Sequence, residues 1–328
     1  MDNRVDSPTD RVVPSGIRTG SQGRVTRLAR GQGKPGREPD ELRKSNRVQG
    51  ARQDDAGSGS HRRPAARPEE GRLSRGAPLP TRVDDSPPVP PSFRVALERA
   101  LEGLGVDLLD PLTARLVEGH VRLLISWNSA INLTAIRDPS AIAVEHVADS
   151  LAALPVLRAA GVSTIVDLGS GGGFPGLPLA IALPAERALL VDSVAKKARF
   201  LEVVVDALDL DARVGVVGER AEGLAAGKAR EAWQAVTARA VGSLAELVEL
   251  AFPLLEPGGI LVAWKGPAVA EEMEPAERAI RALGGGRLEL KPIHLRELEG
   301  HRLAIATKHA ATPDGYPRDP AARRRRPW

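Results

Sequence analysis

The chain has 328 residues, enough for one or two domains, and no cysteine, which excludes disulfides, thiolate metal centres and a cysteine nucleophile. No apolar run reaches the ~18 residues of a membrane span and no signal-peptide core opens the chain, so a soluble, cytoplasmic protein is expected. The sequence is basic, with a pI near 9.7, but its excess sits at the ends: about +6 over residues 1–92 and about +3 over 309–328, against about −5 for 93–308.

Residues 1–92 are rich in Arg, Gly, Pro, Ser and Asp, with no aromatic before Phe93, so they read as a disordered basic extension that buries too little to offset its ordering entropy. From residue 93 the pattern changes. Apolar residues at three- and four-residue spacing predict helices over 93–104, 111–131 and 140–157, the last capped by Ser140. Together they form a helical N-terminal part, about 93–160. Strand-like and helix-like runs then alternate from 161 to 308. The strands "STIVDL", "RALLVD", "ARVGVV", "QAVTARA" and "GGILVAWKG" are separated by helix-like segments, and one of these, 268–283, runs through Pro275. Two more strands follow near 287–294 and 302–308 without an intervening helix, which predicts an antiparallel end. This is the signature of an α/β fold with a doubly wound, mostly parallel sheet. The ending "RDPAARRRRPW" reads as a second disordered basic tail, able to touch phosphate.

In such a sheet the ligand sits beyond the carboxyl ends of the strands, where strand order reverses. There "VDLGSGGGFPG" follows the first strand. Gly169 and Gly171 leave bare backbone for close approach, and the next helix start offers N–H groups to a ligand oxygen. Gly171, Gly173 and Gly176 match a dinucleotide fingerprint, but Phe174 takes the third glycine slot when counting starts at Gly169. Asp167 places a carboxylate by the loop, which repels a pyrophosphate and attracts a cationic donor such as S-adenosyl-L-methionine; the lesser reading is a helix or loop cap. Asp192, some twenty residues on, is spaced to accept ribose hydroxyls. Ala221 and Glu222 follow the third strand, where an adenine ring would lie. Arg239 and Lys265 end the fourth and fifth strands, as anion clamps or as partners in surface ion pairs. His146 and Asp149, three apart on one helix face, either line the cleft mouth or dock the helical part on the sheet.

These segments resemble one family. "WNSAINLTAI", "EHVADSL", "VDLGSGGGFPGLPLAIALP", "LVDSVAKKARFLEVV", "ERAE", "TARAVGSLAELVELAFPLLEPGG" and "AWKG" occur in the order found in the RsmG (GidB) family, over about residues 94–308. The resemblance implies a class I S-adenosylmethionine-dependent methyltransferase fold. It implies methyl transfer to guanine N7 in small-subunit (16S) ribosomal RNA, with the RNA or the small ribosomal subunit as partner. Among site residues it implies cofactor contacts from Gly169, Phe174, Ala221, Glu222 and Arg239. Neither terminal segment belongs to the family pattern.

The chemistry is compatible. Guanine N7 is nucleophilic without losing a proton, so no general base is required and no catalytic residue is named. Pyrimidine C5 attack usually needs a cysteine. Exocyclic-amine methylation uses an Asn- or Asp-Pro-Pro-aromatic loop, which "TARAVG" is not. Aromatics make up 3% of the chain, leaving Phe174, Trp127 and Trp264 as candidate stacking platforms, with Trp127 better suited to the helical core. Lys196, Lys197 and Arg199 can meet phosphate or simply be solvated, and Asn132 is expected to hydrogen-bond its loop. Two other readings stay open: an NAD-dependent dehydrogenase on the same loop, and a non-catalytic RNA-binding protein acting through its basic ends.

Overall fold

The computed structural model describes residues 78–183 and 185–328. The reading of residues 1–77 as disordered lies outside them. Residues 78–92, assigned to the same extension, are instead packed. Trp127 Nε1 donates to the Pro80 carbonyl at 2.7 Å, Arg122 Nε to the Pro87 carbonyl at 3.2 Å, and Ser86 is buried. Composition misses this because only scattered apolar residues, Leu79, Val83 and Val89, reach the core, and the rest of the hold is on backbone carbonyls.

Three helices follow: α1 (Pro91–Leu104), α2 (Pro111–Ile131) and α3 (Pro139–Ala159). Proline opens each one, where its missing N–H costs nothing. Asp110 caps α2 by accepting from Leu112 N and Thr113 N at 2.9 and 3.1 Å. Asn132 ends α2 with φ 52°, while Asn128 makes the loop hydrogen bonds expected of Asn132. Contrary to expectation, α3 is long and apolar enough to cross a membrane. Its apolar surface is spent inside the fold, where Ile142, Val147, Leu151 and Leu154 are fully buried. It is a core helix.

Among the described residues the sheet has seven strands: β1 (Thr164–Leu168), β2 (Arg187–Val191), β3 (Val214–Val217), β4 (Trp233–Arg239), β5 (Leu255–Lys265), β6 (Gly285–Pro292) and β7 (Arg302–Lys308). Their order is β3-β2-β1-β4-β5-β7-β6. The first five are parallel; β7 inserts antiparallel between β5 and β6. Helices α4 (Gly176–Ala182), α5 (Ala195–Ala207), α6 (Ala221–Ala225), α7 (Leu244–Ala251) and α8 (Met273–Ala282) connect the strands. The helix expected over 268–283 is divided. A 3-10 turn covers Pro267–Glu272 and α8 starts at Met273, so Pro275 falls in its first turn, where proline is tolerated. Alternate residues of β1 face opposite cores: Ile165 packs with α1–α5, Val166 and Leu168 with α7 and α8. This is the class I methyltransferase architecture, with strand order reversing at β1.

The C-terminal segment departs from the disordered tail that composition predicts. It packs on α7 and carries a short helix, α9 (Pro320–Arg325). Arg318 forks onto Glu249 through Nε at 2.9 Å and Nη2 at 2.5 Å, and Trp328 Nε1 adds a bond to the same carboxylate at 2.6 Å. Glu249 is fully buried, so a charge inside the core recruits the tail.

Candidate active site

The carboxyl ends of β1 to β4 open onto a cleft of about 350 Å³ lined by Gly169, Asp192, Ala221, Glu222, Ala240 and Arg323, among others. Gly169 takes φ 74°, and a Cβ there would lie 2.5 Å from a Val241 methyl. Gly173 takes φ 94°, and its Cβ would meet His120 Nε2 at 2.8 Å. The glycines therefore serve loop packing as much as ligand approach.

The loop has few N–H groups to give. Gly169 N and Ser170 N both donate to the Val191 carbonyl, at 2.8 and 3.0 Å; Gly173 N and Phe174 N donate to the Ser170 carbonyl, at 2.7 and 3.0 Å. Gly171 N donates to Asp192 Oδ2 at 2.9 Å and Gly176 N to Asp167 Oδ2 at 3.2 Å. The expected free N–H groups at the helix start are thus already used. A pyrophosphate would lack its usual cradle. The cleft wall also carries four acids (Asp192, Glu219, Glu222, Glu246) against three bases (Lys197, Arg220, Arg323), a balance that suits a cationic ligand better than a phosphate.

Asp167 does not line the cleft. It is buried beneath the loop, accepting from Thr237 Oγ1 at 2.8 Å as well as from Gly176 N. Burial pushes its pKa up to about 6 against these hydrogen bonds. It braces the loop, as a cap does. Asp192 does line the cleft, oriented by Gly171 N and by Val194 N at 2.8 Å, with lone pairs left for a diol.

A second pocket, about 320 Å³, adjoins the first at Ala240 and is lined by His146, Asp149, Arg239, Trp264, Lys265 and His301, among others. Here α3 and β4 meet. Residues Ile142–Ala148 are π-helical, and Glu145 has a carbonyl that accepts from Arg239 Nη1 at 3.1 Å. Arg239 Nη1 also binds Asp149 Oδ2 at 2.7 Å, and its Nη2 meets His146 Nδ1 at 3.2 Å. Arginine can only donate, so Nδ1 accepts and Nε2 carries the proton, which it gives to Thr134 Oγ1 at 2.6 Å. Asn128 holds Thr134 in place through bonds of 2.9 Å to its N and O. Burial, then the Arg239 charge, lowers the His146 pKa to about 3, so the ring is neutral. Burial raises Asp149 while Arg239 opposes it, and Asp149 Oδ1 is buried with no partner.

His146, Asp149 and Arg239 are therefore brought together. Phe174 joins them, its ring 4.8 Å from His146 and 4.7 Å from His120, but buried, so it is no open stacking platform. Trp127 and Trp264 are buried too, Trp264 Nε1 bonding the Asp149 carbonyl at 2.9 Å. Lys265 faces the second pocket, but its ammonium is held by Glu272 at 2.7 Å and the Gly242 carbonyl at 3.2 Å. Lys197 lines the cleft, Lys196 is exposed, and Arg199 pairs with Glu202 at 3.2 Å. Thr134, Asn128 and Arg323 escaped the sequence reading. Thr134 and Asn128 lie in the quoted "WNSAINLT" motif, so they were within reach.

The pattern of the family described as GidB, rRNA small subunit methyltransferase G, matches residues 113–299. The chain belongs to this family. It is 44% identical over 205 residues to a ribosomal RNA small subunit methyltransferase G of Chloroflexus aggregans, covering 62% of this chain and 85% of the relative. Against the protein of the same name from Carboxydothermus hydrogenoformans the identity is 41% over 218 residues, 65% of this chain and 91% of the relative. The GidB match takes in α3, the strands β1 to β6 and most of α2, and so most of the lining of both cavities, with Arg323 of the first and His301 of the second beyond it. It stops short of Arg318, Arg323 and Trp328.

Proposed function

We propose that the chain transfers the methyl group of S-adenosyl-L-methionine to N7 of a guanine in small-subunit (16S) ribosomal RNA. The donor's adenosine would lie in the first cleft and the guanine in the pocket beyond Ala240. The carrying observation is that these two cavities share the Ala240 wall at the end of β4. One suits an uncharged nucleoside with a cationic tail; the other holds a fixed Arg–Asp–His cluster. Bound S-adenosylmethionine supplies an electrophilic methyl group on a sulfonium.

The protein's own part is placement. Asp192 offers acceptors to the ribose, and the backbone at Ala221 and Glu222 meets the adenine edge. Asp149, tied to Arg239 Nη1 at 2.7 Å, forms part of the wall against which an unpaired guanine would rest. His146, neutral and fixed by Thr134 and Arg239, adds no charge beside a base that becomes cationic on N7 methylation. Lys265 shapes the pocket wall. No group has to take a proton, and none of the cluster is poised as a base. The reaction belongs in the cytoplasm, on the RNA or an assembling small subunit.

A dehydrogenase would need a pyrophosphate on a loop most of whose N–H groups are already engaged. A purely RNA-binding role for the C-terminal arginines loses Arg318 and Arg323, which face inward. The test is mass spectrometry of small-subunit ribosomal RNA from a strain lacking this chain. One 7-methylguanosine should be absent, restored by the wild-type gene and not by Gly169→Asp. A full complement of 7-methylguanosine in the deletion strain would refute the assignment.

A further inference from the structure

Arg323 belongs to a run of four arginines outside the matched family pattern, yet it lines the adenosine side of the cleft with Asp192, Ala221 and Glu222. Its side chain is only 9% exposed, unlike the exposed Arg324, Arg325 and Arg326 that follow it. Its Nη2 donates to Glu222 Oε1, its Nη1 to the Arg318 carbonyl at 2.7 Å, and its Nε lies 3.4 Å from Glu246 Oε1. That Nε is buried without a hydrogen-bond partner, a donor left open within the cleft wall.

The element it holds has little support of its own. Helix α6 is five residues long, and its N-cap, Arg220, makes no side-chain capping bond. The turn bearing Ala221 and Glu222 is therefore held from outside. The strap that reaches it is anchored firmly. Arg318 forks onto buried Glu249, Arg230 donates to the Tyr316 and Thr312 carbonyls at 2.8 and 2.9 Å, and Thr312 N donates to Glu231 at 2.8 Å. Burial raises the Glu222 pKa, but the Arg323 bond and charge bring it below the ordinary glutamate value. Without Arg323, the carboxylates of Glu222 and Glu246 would share the cleft wall without their common cation.

We propose that the C-terminal strap, residues 312–328, is a working wall of the cofactor cleft, with Arg323 as the positioning residue that presets the turn bearing Ala221 and Glu222 for adenine. This rests on the donor reading of the cleft. It makes the last residues, read from composition as a solvated tail, a determinant of donor affinity rather than of RNA affinity.

The test is calorimetric titration of the full chain with S-adenosylhomocysteine, using wild type, Arg323→Gln, Arg323→Lys, Glu222→Gln, the double variant, Gly169→Asp, and Arg325→Gln as control. Arg323→Gln should weaken binding about tenfold, with Arg323→Lys recovering part and Arg325→Gln matching wild type. The double variant should be no weaker than Arg323→Gln, because the two residues act as one unit. In methyl transfer, KM for the donor should rise by the same factor, with KM for RNA and kcat at saturating donor unchanged, a split that general destabilisation would not give. Wild-type affinity in Arg323→Gln, with binding lost in Gly169→Asp, would overturn the strap's role and leave the cleft standing. No binding by wild type would overturn both.

Discussion

Gly169 carries two constraints at once, a backbone at φ 74° and a Val241 methyl where a Cβ would go. Gly169→Ala should cost about 1–2 kcal/mol in urea unfolding, from the left-handed backbone, and should abolish S-adenosylhomocysteine binding as the loop shifts into the cleft. Wild-type affinity in that variant would contradict the packing described. The buried histidines set a pH dependence. His120 and His146 are held by burial at about 4 and about 3, below the ordinary 6.5, so the unfolded chain binds more protons than the native one across that interval. Their contribution is lost as pH falls from about 6.5 toward 4. Asp167, raised to about 6 by burial, works in the opposite direction over the window below 6. Asp149, also raised by burial, works with Asp167, while Glu222, Glu231 and Glu249, held below the ordinary glutamate value, work with the two imidazoles; the urea midpoint should therefore be lower at about pH 4.5 than at about pH 7, and His120→Gln should flatten the slope. A midpoint unchanged over that range would contradict the burial of these rings.

Among the elements, the C-terminal strap has the most exacting partner. Arg318→Ala leaves the Glu249 carboxylate inside α7 without its cation, and should destabilise by about 3–5 kcal/mol in chemical denaturation. A change within experimental error would mean that Trp328 and the backbone satisfy Glu249 alone. The strap also shows where sequence reading stops. Strands β1 to β5 were legible as short apolar runs closed by glycine or a charged residue, and the switch at β1 followed from the glycine loop. The strap was not, because its arginines are indistinguishable in sequence from solvated ones. Their partners Glu249 and Glu222 lie 69 and 101 residues away. Likewise, Arg239, Asp149 and His146 were each visible as candidates. Their assembly into one cluster depends on the π-helical stretch of α3 meeting β4, which a three-residue spacing does not announce.

On the scale of the whole molecule, the sheet divides two cores and places two cavities side by side at its carboxyl rim, with Ala240 between them. The basic pI misleads at this scale. Part of the C-terminal excess is turned inward, against Glu222, Glu246 and Glu249. The region that would bind a cationic donor is mildly acidic, as its wall requires. Which cavity receives the donor decides everything else about the site, including where the guanine must lie. A crystal structure of the full chain with S-adenosylhomocysteine tests this most directly. The adenosine should rest between Asp192 and the turn bearing Ala221 and Glu222, beside Arg323, with the sulfur end directed toward Ala240. Density for the molecule in any other cavity, with that cleft filled only by solvent, would contradict it.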